Sequence, residues 1–231
     1  MFSKLNPCFN LNEDDYLLIN ETLVPHMSNL KLKCNINIFS NSINDDLFDF
    51  SSNINIGNIN AVSTVSKYLN IDLDIIRDEI KNFKGLEHRF EIVYQNNNIL
   101  IINDSKSTSF ISLKDAVKKI INNGYDRKII IIGGKIDNLE IEESIDFIKY
   151  LRTFEVYLYG ENKEILNDII KNPKCVCNTL EEVINIIDIN EKLVILFSPG
   201  AQSLDQYSSY IERGREFKYL INKKINKLEV I

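Results

Sequence analysis

The chain has 231 residues, 44% hydrophobic and 26% charged, with a formal net charge of −6. That length can bury one large core or two modest ones, and the interspersion of Lys with Asp and Glu, without a basic block, excludes a nucleic-acid surface as the expectation. No apolar run approaches the roughly 18 residues of a membrane span, and residues 1–12 lack the basic-then-apolar order of a secretory leader, so the sequence points to a cytoplasmic protein with no membrane partner.

In chain order, residues 1–11 have no clear strand or helix period. Residues 15–20 and 35–39 alternate like strands, residues 48–55 are a further candidate strand, and residues 59–69 and 73–82 have helical spacing. Gly85 closes this part, which has the look of the tail of an α/β domain. Residues 90–94 and 99–102 are apolar runs flanking Gln95-Asn96-Asn97-Asn98, a hairpin with an amide-rich turn. Beyond it strands and helices alternate. Residues 128–132 form a strand ending at Gly133-Gly134, and residues 143–151 are helical. Residues 154–159 form a strand ending at Gly160, and residues 163–171 are helical. Residues 175–178 form a short strand, 180–187 a helix, 193–197 a strand and 205–224 a final helix. Ile129-Ile130-Ile131-Ile132 is apolar on both faces, which suits a parallel sheet covered on each side.

The expected fold is therefore α/β, with a Rossmann-like domain built on a mostly parallel sheet. Its ligand site belongs beyond the carboxyl ends of the strands, where residues 104–108, 133–138, 160 and 198–203 gather. Cys8, Cys34, Cys175 and Cys177 are too few for a disulfide scaffold, and Cys175-Val176-Cys177 lacks the two-residue spacing of a zinc or redox pair. Neither His26 nor His88 stands at ligand spacing from them, so reduced bystander thiols and no metal site are expected.

Ser198-Pro199-Gly200-Ala201-Gln202-Ser203 follows the run Leu193-Val194-Ile195-Leu196-Phe197. A small-residue turn between a strand and a helix start converges backbone N–H groups and suits a carboxylate or phosphate. Asn103-Asp104-Ser105-Lys106-Ser107-Thr108 also follows a strand; it is either a polar loop with a hydroxyl N-cap or a place where Lys106 meets an anion. Gly133-Gly134 is a strand exit that lacks the rest of G-x-G-x-x-G. His88 reads as a hinge residue or a catalyst, and Arg89 as a phosphate partner or a salt bridge. G-x-x-x-x-G-K-[ST] occurs nowhere in the sequence.

Four motifs stand in register: Gly85-Leu86-x-His88-Arg89-Phe90-Glu91, Asn103-Asp104-Ser105-Lys106-Ser107-Thr108, Ser198-Pro199-Gly200-Ala201-x-Ser203-Leu204-Asp205-Gln206, and Glu212-Arg213-Gly214-x-x-Phe217. Together they resemble the Mur ligase family, in particular its D-glutamate-adding branch. The resemblance is specific over residues 85–231 and fainter, through Asp14-Asp15-Tyr16 and Asn60-Ala61, before them. It implies that residues 1–85 are the end of a P-loop-type α/β ATPase domain without its P-loop half. Residues 86–231 are then a C-terminal amino-acid-binding ligase domain. The implied function is ATP-dependent amide-bond formation in peptidoglycan synthesis, with ATP and Mg as cofactors and D-glutamate and UDP-MurNAc-L-alanine as substrates.

The resemblance further implies a monomer that either acts with a separate N-terminal fragment or is an inactive portion or binding module on its own. Lys106 and His88 take catalytic positions, Arg89, Asp104 and Asn60 nucleotide positions, and Thr108, Ser203, Tyr210 and Lys135 substrate positions. Two departures stand out. Ile136-Asp137-Asn138 replaces the Lys or Arg the family often carries past the Gly-Gly turn, leaving Lys135 as the nearest cation, and Ile56-Gly57 replaces a His-Asn pair before Asn60.

Overall fold

A computed structural model describes residues 6–27, 30–41, 56–136, 147–189 and 192–228. The chain divides into two compact units, Met1–Gly85 and Leu86–Ile231. In the first, β1 (Tyr16–Asn20) pairs in parallel with β2 (Asn35–Phe39). A 3-10 turn over Glu21–Leu23 leads from β1 into the short helix α1 (Val24–Met27). Helices α2 (Ile56–Tyr68) and α3 (Leu73–Asn82) follow. Asp72 caps α3 by accepting the Asp74 N–H at 2.8 Å, which satisfies one donor of its first turn. Ile19, Met27 and Ile59 are buried, whereas Ile36, Ile38, Tyr68 and Leu69 are exposed. The candidate strand over 48–55 lies outside the described residues.

The second unit is a six-stranded sheet in the order β3-β4-β8-β5-β6-β7. The hairpin β3 (Glu91–Gln95) and β4 (Ile99–Asn103) supplies the antiparallel edge. Next along the chain come α4 (Phe110–Ile120), β5 (Arg127–Gly133), α5 (Ile148–Leu151), β6 (Glu155–Tyr159) and α6 (Lys163–Ile170). The two-residue β7 (Cys175–Val176), α7 (Leu180–Ile186), β8 (Leu193–Phe197) and α8 (Tyr210–Leu228) complete it. All pairings from β4 to β7 are parallel. The sheet is thus the Rossmann-like α/β arrangement that the two-faced apolar strands imply.

Alternation along the strands divides the core. Ile129, Ile131, Ile195 and Phe197 pack with Leu180, Val183, Phe217 and Ile221 of α7 and α8. Ile130, Ile132, Val194 and Leu196 pack with Phe110, Leu113 and Val117 of α4 and with Leu151 and Leu166 on the opposite face. Successive strand residues point to opposite faces, so continuous apolar runs serve two layers at once. Strand β8 enters between β4 and β5, yet its helix crosses to the face opposite theirs. The connections therefore diverge around the carboxyl end of β8, the place where open α/β sheets form a ligand crevice.

Element limits differ from the sequence expectation at the short strand and at the last helix, and the expected 143–151 helix falls partly outside the described residues. The helix expected over 143–151 is described only from Ile148 onward, residues 143–146 lying outside the described set. The strand expected over 175–178 is confined to Cys175–Val176. The last helix begins at Tyr210 and not at Asp205, because Ser209 and Glu212 form its cap. Ser209 Oγ accepts the Glu212 N–H at 3.3 Å, while the Glu212 carboxylate accepts the Ser208 N–H and hydroxyl at 2.8 and 2.6 Å.

Helix α8 is fastened by Phe217, fully buried and stacked on Phe197 with ring centres 4.4 Å apart. Replacing Phe217 by Ala is expected to cost about 3–5 kcal/mol of unfolding free energy. Tyr219→Ala, on the exposed side of the same helix, is expected to change stability by less than about 0.5 kcal/mol. Urea denaturation of both variants checks this, and equal effects would contradict the assignment of the buried face.

Candidate functional site

The strand-end loops of the second unit are bound to one another by backbone hydrogen bonds. Asp104 N–H donates to Phe197 O at 2.7 Å and Gly200 N–H to Ser107 O at 3.0 Å, which joins the loops after β4 and β8. Gly133 N–H donates to Pro199 O at 3.1 Å, and Lys135 and Gln202 exchange two bonds, both 2.9 Å, which joins the loop after β5 to the same β8 loop. Asn162 N–H donates to Gly134 O at 3.3 Å, and its side-chain oxygen accepts the Ile136 N–H at 2.7 Å. Asp205 Oδ2 accepts the Glu161 N–H at 3.0 Å. Loops 104–108, 133–136, 160–162 and 198–205 thus form one surface, as the strand-end rule predicts; residues 137 and 138 lie outside the described set.

A fully buried arginine locks this surface from below. Arg213, on the first turn of α8, donates from Nε to Ser105 Oγ at 3.1 Å, from Nη2 to Ser105 O at 2.7 Å and from Nη1 to Ala201 O at 2.9 Å. Ser105 Oγ in turn donates to Tyr210 O at 2.8 Å. The planar fork suits this task, since one rigid group satisfies acceptors on two loops. Gly134, at φ +123°, leaves room for the approach: a Cβ there would stand 2.3 Å from Gln202 O and 3.1 Å from Arg213 Nη1.

The residues singled out by sequence fall into three groups. Lys135, Ser203, Lys106, Thr108 and Tyr210 lie on or beside the joined loops. Lys135 is half exposed, with its ammonium 3.8 Å from Glu161 Oε1, and Ser203 is buried directly after Gln202. Lys106 Nζ lies 5.4 Å from the centre of the Tyr210 ring, and Thr108 is exposed. The Tyr210 N–H belongs to the first turn of α8, where donors have no partner within the helix.

His88 and Asp104 face inward. The His88 ring is 2% exposed and lies against the backbone of α8, where a Cβ on Gly214 would be 2.4 Å from its Nδ1. Asn103 Nδ2 donates to His88 Nδ1 at 3.0 Å and to Gly214 O at 3.2 Å, so a neutral ring carries its proton on Nε2. Burial pushes the His88 pKa down from its ordinary value against the opposing pull of Glu87 and Glu91. The Asp104 carboxylate accepts the Phe90 N–H at 3.0 Å and the Ser198 hydroxyl at 2.8 Å. Burial raises its pKa to about 6, beyond what those bonds and the charges of Lys119 and Arg89 offset.

The third group has one residue in each unit. Arg89 is exposed beside His88. Asn60 is in the first unit, where its side-chain amide donates to Ser40 O at 2.6 Å.

Sequence reasoning assigned no role to Arg213, Asn103 or Asn162. Asn162, two residues past the strand-end Gly160, had a positional signal. Arg213 had only its place in a motif, because burial of a guanidinium is not visible in one sequence. Among the described residues no group of three or more His, Cys, Asp and Glu could hold a metal ion, and no helix is long and apolar enough to cross a membrane.

No family model matches the chain. It is 30% identical to the UDP-N-acetylmuramoylalanine–D-glutamate ligase of Prochlorococcus marinus (strain MIT 9515), over 97% of this chain and 44% of that protein. It is 36% identical to the protein of the same name from Buchnera aphidicola subsp. Baizongia pistaciae, over 80% of this chain and 41% of that one. The chain thus spans less than half the length of these curated relatives. The crystal structure of MurF ligase from Thermotoga maritima in complex with ADP matches with a TM-score of 0.66 at 16% identity, over 97% of this chain and 58% of that chain, a likeness of fold.

Asp104 provides a pH test of the site. Its folded-state pKa, raised from 3.8 to about 6 by burial, contributes stability that is full below the unfolded value and is lost as pH rises through about 6. The wild type is therefore expected to lose on the order of 3 kcal/mol relative to Asp104→Asn between pH 3.5 and pH 7. Asn reproduces the neutral hydrogen bonds without ionising. Urea titrations across that range check it, and a pH-independent difference would contradict the raised value.

Proposed function

We propose that the chain is a portion of a Mur-type ligase and that it supplies the amino-acid-binding end of an ATP-dependent enzyme joining D-glutamate to UDP-MurNAc-L-alanine. One observation carries this reading. The paired bonds between Lys135 and Gln202 bring an ammonium and the Ser203 segment onto adjoining strips, a donor set suited to carboxylate groups.

In this reading Lys135, Ser203, Thr108 and the Tyr210 N–H hold the two carboxylates of D-glutamate. Its amino group then attacks the acyl phosphate made from the muramyl carboxylate and ATP. The amide C–N bond forms, phosphate leaves, and the amine releases a proton. Two anions and a developing oxyanion have to be held together, so fixed cations and N–H donors do most of the work. Lys106 is the catalytic residue for that charge. Arg89 is the nucleotide residue of the second unit and Asn60 that of the first, and Mg would accompany the nucleotide phosphates. Asp104 and His88 act as positioning residues: Asp104 pins Phe90 N–H and Ser198, and the His88 carbonyl accepts the Lys106 N–H at 3.0 Å. Residues 1–85 correspond to the end of the ATPase domain and residues 86–231 to the amino-acid-binding domain, in a cytoplasmic monomer of peptidoglycan synthesis.

D-glutamate titrated into the purified chain and followed by NMR shifts is expected to move the amides of residues 135, 203 and 210. Lys135→Ala and Ser203→Ala should each weaken that binding about tenfold or more, the loss of one hydrogen bond to a charged group. Phosphate release by the chain alone is expected to be undetectable. Unchanged affinity in both variants, or binding of L-glutamate as tight as that of D-glutamate, would overturn the proposal.

A further inference from the structure

The sequence expectation that Cys175 and Cys177 are reduced bystanders rests on Cys175-Val176-Cys177 lacking the two-residue spacing of a zinc or redox pair. In an extended segment residues i and i+2 share a face, and here the two sulfurs lie 3.4 Å apart. The geometry points to a dithiol site at Cys175 and Cys177 that takes a low-molecular-weight disulfide of the glutathione type as oxidant and closes to an intrachain disulfide, loosening the neighbouring strand-end brace. This inference is independent of the ligase reading.

Three features support it. First, β7 has two residues and is the edge of the sheet, so among the described residues its outer side carries no ladder partner. Second, Lys174 N–H donates to Val156 O and Cys177 N–H to Leu158 O, at 2.7 and 2.9 Å. Between them the register is one-to-one, Tyr157 with Cys175 and Leu158 with Val176, so the ladder holding this segment is only two pairs long. A short edge segment can supply the further approach of roughly 1.4 Å that an S–S bond of about 2.05 Å requires. Third, the sulfurs differ in environment. Cys177 is 7% exposed and burial pushes its thiol up to about 12, while Cys175 is only partly buried, so Cys175 is the sulfur that meets the oxidant.

The exchange balances as follows. The Cys175 thiolate attacks one sulfur of the small disulfide, a mixed disulfide forms on Cys175, and one small thiolate leaves. Cys177 then gives its proton to solvent and its sulfur attacks Cys175 Sγ. The second small thiolate departs, and both small thiolates take up protons. Two protons and one electron pair have passed to the oxidant, one S–S bond replaces another, and two small thiols are released.

The consequence reaches the strand-end loops through Asn178. Its carbonyl accepts the Gly160 N–H at 3.3 Å and Gln206 Nε2 at 2.7 Å, tying the loop after β6 to the segment that follows Ser203. Ring closure at Cys177 shifts the residue next to this brace.

The test uses the full chain, treated with oxidised glutathione, quenched with an alkylating agent and mapped by mass spectrometry. The peptide containing Cys175 and Cys177 is expected to lose the mass of two hydrogens and to escape alkylation. Cys177→Ser should strand a glutathione adduct on Cys175, and Cys175→Ser should form no intrachain bond. The oxidised wild type should exchange the Gly160 amide at least several-fold faster than the reduced protein. The proposal is overturned if both cysteines are alkylated after oxidation, if the wild type holds stable adducts on both, or if the disulfide forms and Gly160 exchange stays unchanged.

Discussion

The hydrogen bonds from the Arg213 guanidinium to Ser105 and Ala201 are the constraint on which the ligand-facing end of this protein depends. A fully buried cation costs several kcal/mol of desolvation, and here two backbone carbonyls and a hydroxyl offset that cost. Those carbonyls belong to strand-end loops that turn away from the sheet ladder, so they have no regular partner of their own. One side chain therefore answers acceptors on two loops, and removing it would leave buried acceptors unsatisfied at about 1–3 kcal/mol each. The arrangement fixes the relative height of the Lys106 and Ser203 segments before any ligand arrives, which is the preorganisation that binding two charged groups requires.

The sheet topology makes such a clamp possible. Strand β8 stands between β4 and β5 while α8 crosses to the face opposite α4. The first turn of α8 consequently passes beneath the loops that leave all three strands. Small residues permit the closeness: Gly134 admits the Gln202 carbonyl, and Gly214 admits the His88 ring against the helix. His88 and Asn103 then carry the constraint outward, since Asn103 holds both the His88 ring and the Gly214 carbonyl, and the His88 carbonyl holds Lys106. Polar groups that a functional reading first places on the surface prove to be the supports beneath it.

The sheet was legible in the sequence because its signal is local and strong. Leu193–Phe197 and Ile129–Ile132 are apolar on both faces, and only a covered parallel strand uses such a run. The gathering of the loops at 104–108, 133–138, 160 and 198–203 followed from connectivity alone, residues 137 and 138 lying outside the described set. Legibility failed where contacts between distant residues decide. Asp205 reads as a helix residue until Ser209 and Glu212 are seen to cap the helix later. His88 and Asp104 are titratable residues at strand ends, and their inward orientation depends on Asn103, Phe90 and Ser198. Cys175 and Cys177 read as bystanders because one residue, and not two, separates them, whereas the chain there is an extended edge that sets their sulfurs 3.4 Å apart.

The most direct measurement of the clamp is amide hydrogen exchange in Arg213→Lys. Lysine keeps the charge but cannot reproduce the fork that reaches Ser105 and Ala201 together. If the guanidinium holds the two loops as one surface, residues 104–108 and 198–203 lose protection in parallel, by about tenfold or more for the loss of one charge-assisted bond, while β5 and β8 retain theirs. Unchanged protection in both loops, or a loss confined to one of them, would contradict the account.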